Sequence, residues 1–146
     1  MLTLIVLLPL RGFLLNGVLA TQLGGNRVGK PFVTLVGCGL PILSFVLTLI
    51  AFGELRAGGY APLSENVYTW IAVEGAPFAI AFWFDRLTAV MALIVTGVGS
   101  LIHVYSIGYM AHDAHKPRFF AYLSLFTFFM MALITADNLL QLYFGW

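Results

Sequence analysis

The chain has 146 residues, of which 61% are hydrophobic and only 9% are charged. Soluble domains carry about 25% charged residues, so the composition excludes an ordinary soluble enzyme and indicates a membrane protein. The formal net charge is +1 and the basic residues form no stripe, which argues against nucleic acid as a partner. We predict an all-α fold: one membrane domain over residues 1–146, built as a polytopic transmembrane helix bundle in contact with membrane lipid.

The apolar runs predict five spans. They lie at about residues 2–20, 32–52, 87–109, 119–136 and 138–146. The first run could also be a signal peptide, but no Lys or Arg precedes its apolar core, which is long for such a segment. A helix rises about 1.5 Å per residue and the hydrocarbon core is roughly 30 Å thick, so the last run is too short to cross. We expect that the chain is cut inside a helix and that the full protein continues.

The segment from residue 53 to 86 differs from the spans because it contains two short β-prone runs. These runs, 67–73 and 78–83, are separated by Glu74, Gly75, Ala76 and Pro77. The pattern predicts a short extramembrane β-hairpin between helices 2 and 3, with a four-residue turn. We expect the hairpin to lie on the membrane surface. The aromatic residues expected at headgroup depth are Tyr68, Trp70 and Trp83.

Basic residues predict the orientation of the bundle. The loops after spans one and three carry Arg27, Lys30, Lys116 and Arg118. The positive-inside rule places these loops in the cytoplasm, so the N-terminus, the hairpin and the turn at 136–138 face outward. The residues 112–118 are expected to form a charged turn between the third and fourth spans.

Three ionisable residues at or near membrane depth are candidate proton-path residues: Arg11, His103 and Asp137. His103 is either a proton relay or a neutral imidazole bonded to a backbone carbonyl or to a neighbouring Ser or Thr. Asp137 is either an N-cap whose carboxylate accepts from the following helix or a group at the mouth of an ion path. Arg11 snorkels, pairs with a neighbouring subunit, or lines an ion pathway.

Small and polar residues recur at spacings of three and four along the third span, which predicts a face that packs on another helix. They are Ala89, Ala92, Thr96, Gly99, His103 and Ser106. Asp85 is expected to cap this helix. Cys38 is expected to be buried by packing, and His112 and His115 lack a third ligand for a metal. The sequence therefore predicts no catalytic nucleophile, no cofactor site and no metal site in this chain.

Several motifs resemble one family, loosely over the whole chain and closely from residue 67 to the end. They are the segments 84–88, 97–106, 118–122, 136–140 and 144–146, which read FDRLT, GVGSLIHVYS, RFFAY, ADNLL and FGW. They are similar to the antiporter-like L subunit of respiratory complex I, the NADH:quinone oxidoreductase, equivalent to mitochondrial subunit 5. The resemblance implies that this chain is the N-terminal portion of a longer proton-translocating membrane-arm subunit.

The family couples quinone reduction elsewhere in the complex to proton pumping. The resemblance implies FMN, iron–sulfur clusters and quinone on other subunits, and no redox centre on this one. It implies other complex I membrane subunits as partners, especially the adjacent antiporter-like subunit, in the bacterial inner membrane. The family's glutamate of the fifth helix and its later lysines would follow Trp146, so these proton carriers have no counterpart in the chain. Two alternatives stay open: the large subunit of a multi-subunit cation/proton antiporter, and a purely structural membrane scaffold.

Overall fold

A computed structural model describes the backbone of residues 1–18, 29–73 and 76–146, and side chains outside residues 70–77. The described elements are α1 (Leu2–Leu14), α2 (Lys30–Ala57), β1 (Leu63–Val73), β2 (Ala76–Phe84), α3 (Arg86–Tyr109), α4 (Lys116–Ile134) and α5 (Leu139–Gly145). This architecture confirms the predicted fold class, a helical bundle with a small antiparallel hairpin between its second and third helices.

Three of the described helices, α2, α3 and α4, are long and apolar enough to cross a membrane. The first apolar helix, Leu2–Val18, is shorter, and the last two residues of the predicted first span lie outside the described part of the chain. The loop that carries Arg27 also lies outside it.

Sequential helices pack antiparallel. Ser44 of α2 donates to the Ile5 carbonyl of α1 at 2.7 Å, and Cys38 near the start of α2 lies beside His103 near the end of α3. The Thr88 hydroxyl at the start of α3 donates to the carbonyl of Ile134 at the end of α4. The end of α2 and the start of α3 therefore lie at the same end of the bundle, and the hairpin that connects them lies there.

The hairpin begins at Leu63, four residues before the predicted run, and its turn is shorter than predicted. Val73 pairs with Ala76 and Ala72 pairs with Pro77, so Ala76 and Pro77 belong to β2. The prediction of a four-residue turn is therefore wrong, because strand pairing extends two residues further than the β-prone run. The remaining predicted turn residues, Glu74 and Gly75, lie outside the described residues.

The base of the hairpin packs into the end of the bundle. Phe82 and Phe84 are buried, and the Trp83 N–H donates to the Thr135 carbonyl at 2.8 Å. Further from the base, Tyr68 is 64% exposed. The side chain of Trp70 lies outside the described side chains, and the membrane depth of the aromatic residues stays a prediction.

Candidate functional site

The predicted small face of α3 is buried. Ala92, Thr96, His103 and Ser106 are all buried, while Gly99 is partly exposed. Each hydroxyl on this face donates to the carbonyl one turn earlier, as Thr96 Oγ1 does to Ala92 at 2.6 Å. Small side chains let a neighbouring helix approach closely, and these internal bonds remove the cost of burying the hydroxyls. The face therefore packs tightly and leaves one titratable group inside.

That group is His103, which is completely buried. Its Nδ1 lies 2.7 Å from the carbonyl oxygen of Gly99. Because a carbonyl only accepts hydrogen bonds, Nδ1 carries a proton, and Nε2 has a free lone pair whenever the ring is neutral. Nε2 has no hydrogen-bond partner among the described residues. The side chain thus makes the carbonyl bond considered above and still offers one nitrogen that can accept a proton.

Two other helices enclose His103. Cys38 of α2 is buried, as predicted, and its thiol donates to the His103 backbone carbonyl at 3.3 Å. From α4, the Phe120 ring lies 6.2 Å from the imidazole, measured between ring centroids. A Cβ built on Gly37 would lie 2.6 Å from Phe120 Cδ1, so the glycine makes room for this ring. The imidazole is therefore held between α2 and α4 without a carboxylate beside it in the described structure.

The sequence predicts that Lys116 lies in a charged turn, but the structure buries this residue. Helix α4 begins at Lys116, and this residue is only 6% exposed. Its Nζ lies 5.9 Å from the centroid of the Phe120 ring. The spacing of four residues between Lys116 and Phe120 was the available signal, because it brings two side chains together once a helix includes both.

Asp137 does not cap α5. The cap is the next residue, Asn138, whose Oδ1 accepts from the Gln141 N–H at 2.8 Å. The N-cap prediction for Asp137 is wrong because Asn138 takes the extended backbone that precedes the helix. Asp137 is exposed and makes no hydrogen bond with any described residue. Its role at the mouth of an ion path stays a prediction.

Arg11 lies on the outer side of α1. It is exposed, whereas its neighbour Gly12 is buried against Ser124 of α4. Within the described residues it has no ion-pair partner. The structure therefore does not bring Arg11 together with His103, and a pairing with a neighbouring subunit stays a prediction.

The loop histidines are solvent-exposed. His115 Nδ1 lies 3.4 Å from Asp113 Oδ1, with both side chains largely exposed. Across the described parts of the chain, no group of three His, Cys, Asp or Glu residues has the arrangement needed to hold a metal ion.

Two carboxylates hold the hairpin end together. Asp85 caps α3 as predicted, and the Thr88 N–H that donates to its Oδ1 at 2.8 Å lowers the pKa of this carboxyl. Glu65 of β1 accepts from the N-terminal ammonium at 2.9 Å and from Thr3. Burial raises the pKa of Glu65, but these hydrogen bonds outweigh it and lower the pKa to about 2.

The fold and this interior define a class of protein: a multi-pass membrane bundle that buries a titratable side chain. Comparisons give the family. Residues 70–120 match the family model described as the N-terminus of NADH-ubiquinone oxidoreductase (complex I) chain 5.

Relatives match nearly the whole chain. The NADH-quinone oxidoreductase subunit L of Neisseria meningitidis serogroup A is 42% identical over 144 residues, which cover 97% of this chain and 20% of that protein. NADH-ubiquinone oxidoreductase chain 5 of Triticum aestivum and that of Arabidopsis thaliana are each 44% identical over 143 residues. These residues cover 98% of this chain and 20% of each relative. The chain therefore belongs to the complex I subunit L/chain 5 family, and it spans about a fifth of the length of these relatives.

Proposed function

We propose that this chain contributes to a proton-translocating membrane-arm subunit of NADH:quinone oxidoreductase, and that His103 carries protons within it. The observation that supports this role is the completely buried imidazole, with Nδ1 on the Gly99 carbonyl and Nε2 without a described partner. Burying an ionisable group in a membrane bundle is costly, and packing alone does not explain the cost. A functional role does.

The imidazole has the chemistry of a relay. Nε2 accepts a proton while Nδ1 stays bonded to Gly99, which produces an imidazolium inside the bundle. Release from Nε2 restores the neutral ring. The buried cation is unfavourable, so its formation responds strongly to other charges nearby. No electron moves in this step, and the redox chemistry with FMN, iron–sulfur clusters and quinone belongs, in this proposal, to other subunits.

The same proposal covers partners and location. The family supports other complex I subunits as partners, and we assign one neighbour as the adjacent antiporter-like subunit. Arg11 on the outer side of α1 is available for that contact. The positive loops support an N-terminus outside. The Neisseria meningitidis relative supports the bacterial inner membrane as the location, and plant relatives match this chain as well. The Neisseria meningitidis and Triticum aestivum relatives are named as complex I subunits, which does not favour the cation/proton antiporter alternative.

The test compares two histidines. In the complete complex, we expect His103→Gln to reduce the number of protons translocated per NADH to about half or less. The reason is that a Gln side chain, unlike imidazole, does not take up a proton near neutral pH. Assembly and the rate of quinone reduction should be retained. The control is His112→Gln in the exposed loop, which should pump normally. Normal pumping by an assembled His103→Gln complex would overturn the role of His103 and favour a structural scaffold.

A further inference from the structure

Lys116 occupies a position that is unfavourable for a cation on two counts. It is the first residue of α4, where the helix dipole is positive and disfavours positive charge. It is also 6% exposed, and no described carboxylate lies within ion-pair distance. A lysine placed only for solubility would extend its ammonium into water. Neither capping nor ion pairing offsets the cost of this one.

The Phe120 ring connects Lys116 to the proton-path candidate. The Lys116 ammonium lies 5.9 Å from the ring centroid, and the His103 imidazole lies 6.2 Å from it. The ammonium is therefore within about 12 Å of the imidazole. Phe120 is completely buried, so little water screens the two groups from each other. At this separation a charge on one side chain changes the energy of a charge on the other.

No other described charge competes at this place. The titratable group that α2 brings to His103 is Cys38, through its bond to the His103 carbonyl. From α4 the group is Lys116, and the Arg11 of α1 is exposed on the other side of its helix. His112, Asp113 and His115 of the turn are partly or fully exposed to solvent.

We infer that Lys116 regulates the proton affinity of His103, with the Phe120 ring packed near both side chains. This inference rests on the proposed role of His103. Lys116 is a positioning residue that acts through charge: its ammonium opposes formation of the imidazolium. Removal of that charge, or arrival of a negative charge nearby, therefore makes proton uptake by His103 easier. The buried Phe120 ring lies near both side chains and excludes water from the space that it fills.

The experiment measures protons translocated per NADH as a function of pH in the complete complex. Neutralising Lys116 in Lys116→Gln, or in Lys116→Met should the first variant assemble poorly, makes the imidazolium easier to form. We expect the midpoint of the pH profile to move to higher pH by up to about one unit. Lys116→Arg keeps the charge and should keep the wild-type profile. Lys30→Gln, an exposed lysine at the same end of the bundle, is the matched control.

The double variant His103→Gln/Lys116→Gln separates the two proposals. If His103 is the group that Lys116 affects, neutralising Lys116 shifts nothing further once the imidazole is gone. An unchanged profile in an assembled Lys116→Gln complex, with pumping still impaired by His103→Gln, overturns the regulation alone. Normal pumping by His103→Gln overturns the proposed function and this inference together. A shift of equal size in Lys30→Gln also overturns the regulation by Lys116, because the effect would then come from surface charge in general.

Discussion

Gly37 and Gly39 lie two residues apart in α2 and have different surroundings. A Cβ on Gly37 would lie 2.6 Å from Phe120 Cδ1, whereas nothing lies within 4 Å of a Cβ on Gly39. We expect Gly37→Ala to destabilise the bundle by about 1–3 kcal/mol, since a buried ring must shift to accept the methyl group. Gly39→Ala should be neutral or slightly stabilising, because Ala favours the helix.

Thermal unfolding in one detergent measures both variants. Equal midpoints for Gly37→Ala and Gly39→Ala would contradict the close packing of Phe120 against α2. Because the same ring contacts His103, Gly37→Ala should also disturb proton pumping, while Gly39→Ala should not.

The residues around His103 show which parts of the candidate site could be predicted from the sequence and which could not. The buried face of α3 could be predicted because helical periodicity alone brings Ala92, Thr96 and His103 to one side. Lys116 could not be placed in the same way. Its burial depends on where α4 begins and on how Phe120 sits against α2, and neither follows from a charged segment read in isolation.

At the junction of α4 and α5, adjacent polar residues have different roles. Asn138 caps α5 through Gln141 and donates from Nδ2 to the Ala79 carbonyl of β2 at 2.7 Å, so it joins the helix to the hairpin. We expect Asn138→Ala to destabilise the fold by about 0.5–2 kcal/mol from the lost cap, with a further loss from the hairpin bond. Chemical unfolding of Asn138→Ala measures this loss, and Asp137→Ala is the control.

A larger loss in Asp137→Ala than in Asn138→Ala would argue against this assignment of the cap. The sequence alone did not separate these neighbours, because both residue types are good N-caps. What separates them is the backbone of the preceding turn, which the hairpin fixes through the hydrogen bond from Trp83 to Thr135. The choice of cap is therefore made by an element that is distant in sequence.

Across the whole molecule, the hairpin closes one end of the bundle. Its second strand contacts the α4–α5 junction through Trp83, and its first strand binds the start of α1 through Glu65. The two β-prone runs were sufficient to predict the hairpin, because strand composition is a local property. Its attachment to the start of the chain and to α5 joins residues about 60 positions apart, and no local pattern encodes such contacts.

The contact between Glu65 and α1 should make the stability of the bundle depend on pH. Hydrogen bonds from the N-terminal ammonium and Thr3 lower the pKa of Glu65 to about 2 in the fold, whereas an unfolded Glu has a pKa of about 4.3. The folded state therefore favours the ionised carboxylate. Its contribution is complete above the unfolded pKa and is lost as the pH falls from about 4.3 towards 2.

Glu65→Gln removes this contribution at neutral pH. Because the side chains of Glu65 and Met1 are partly exposed, solvent screening limits the expected loss to about 0.2–1 kcal/mol. Unfolding midpoints measured between pH 2 and 7 should converge for the variant and the wild type as the carboxylate becomes protonated. Glu54→Gln, at an exposed position near the end of α2, should leave the curve unchanged. A constant difference between Glu65→Gln and wild type down to pH 2 would mean that shape, and not charge, holds the hairpin to α1.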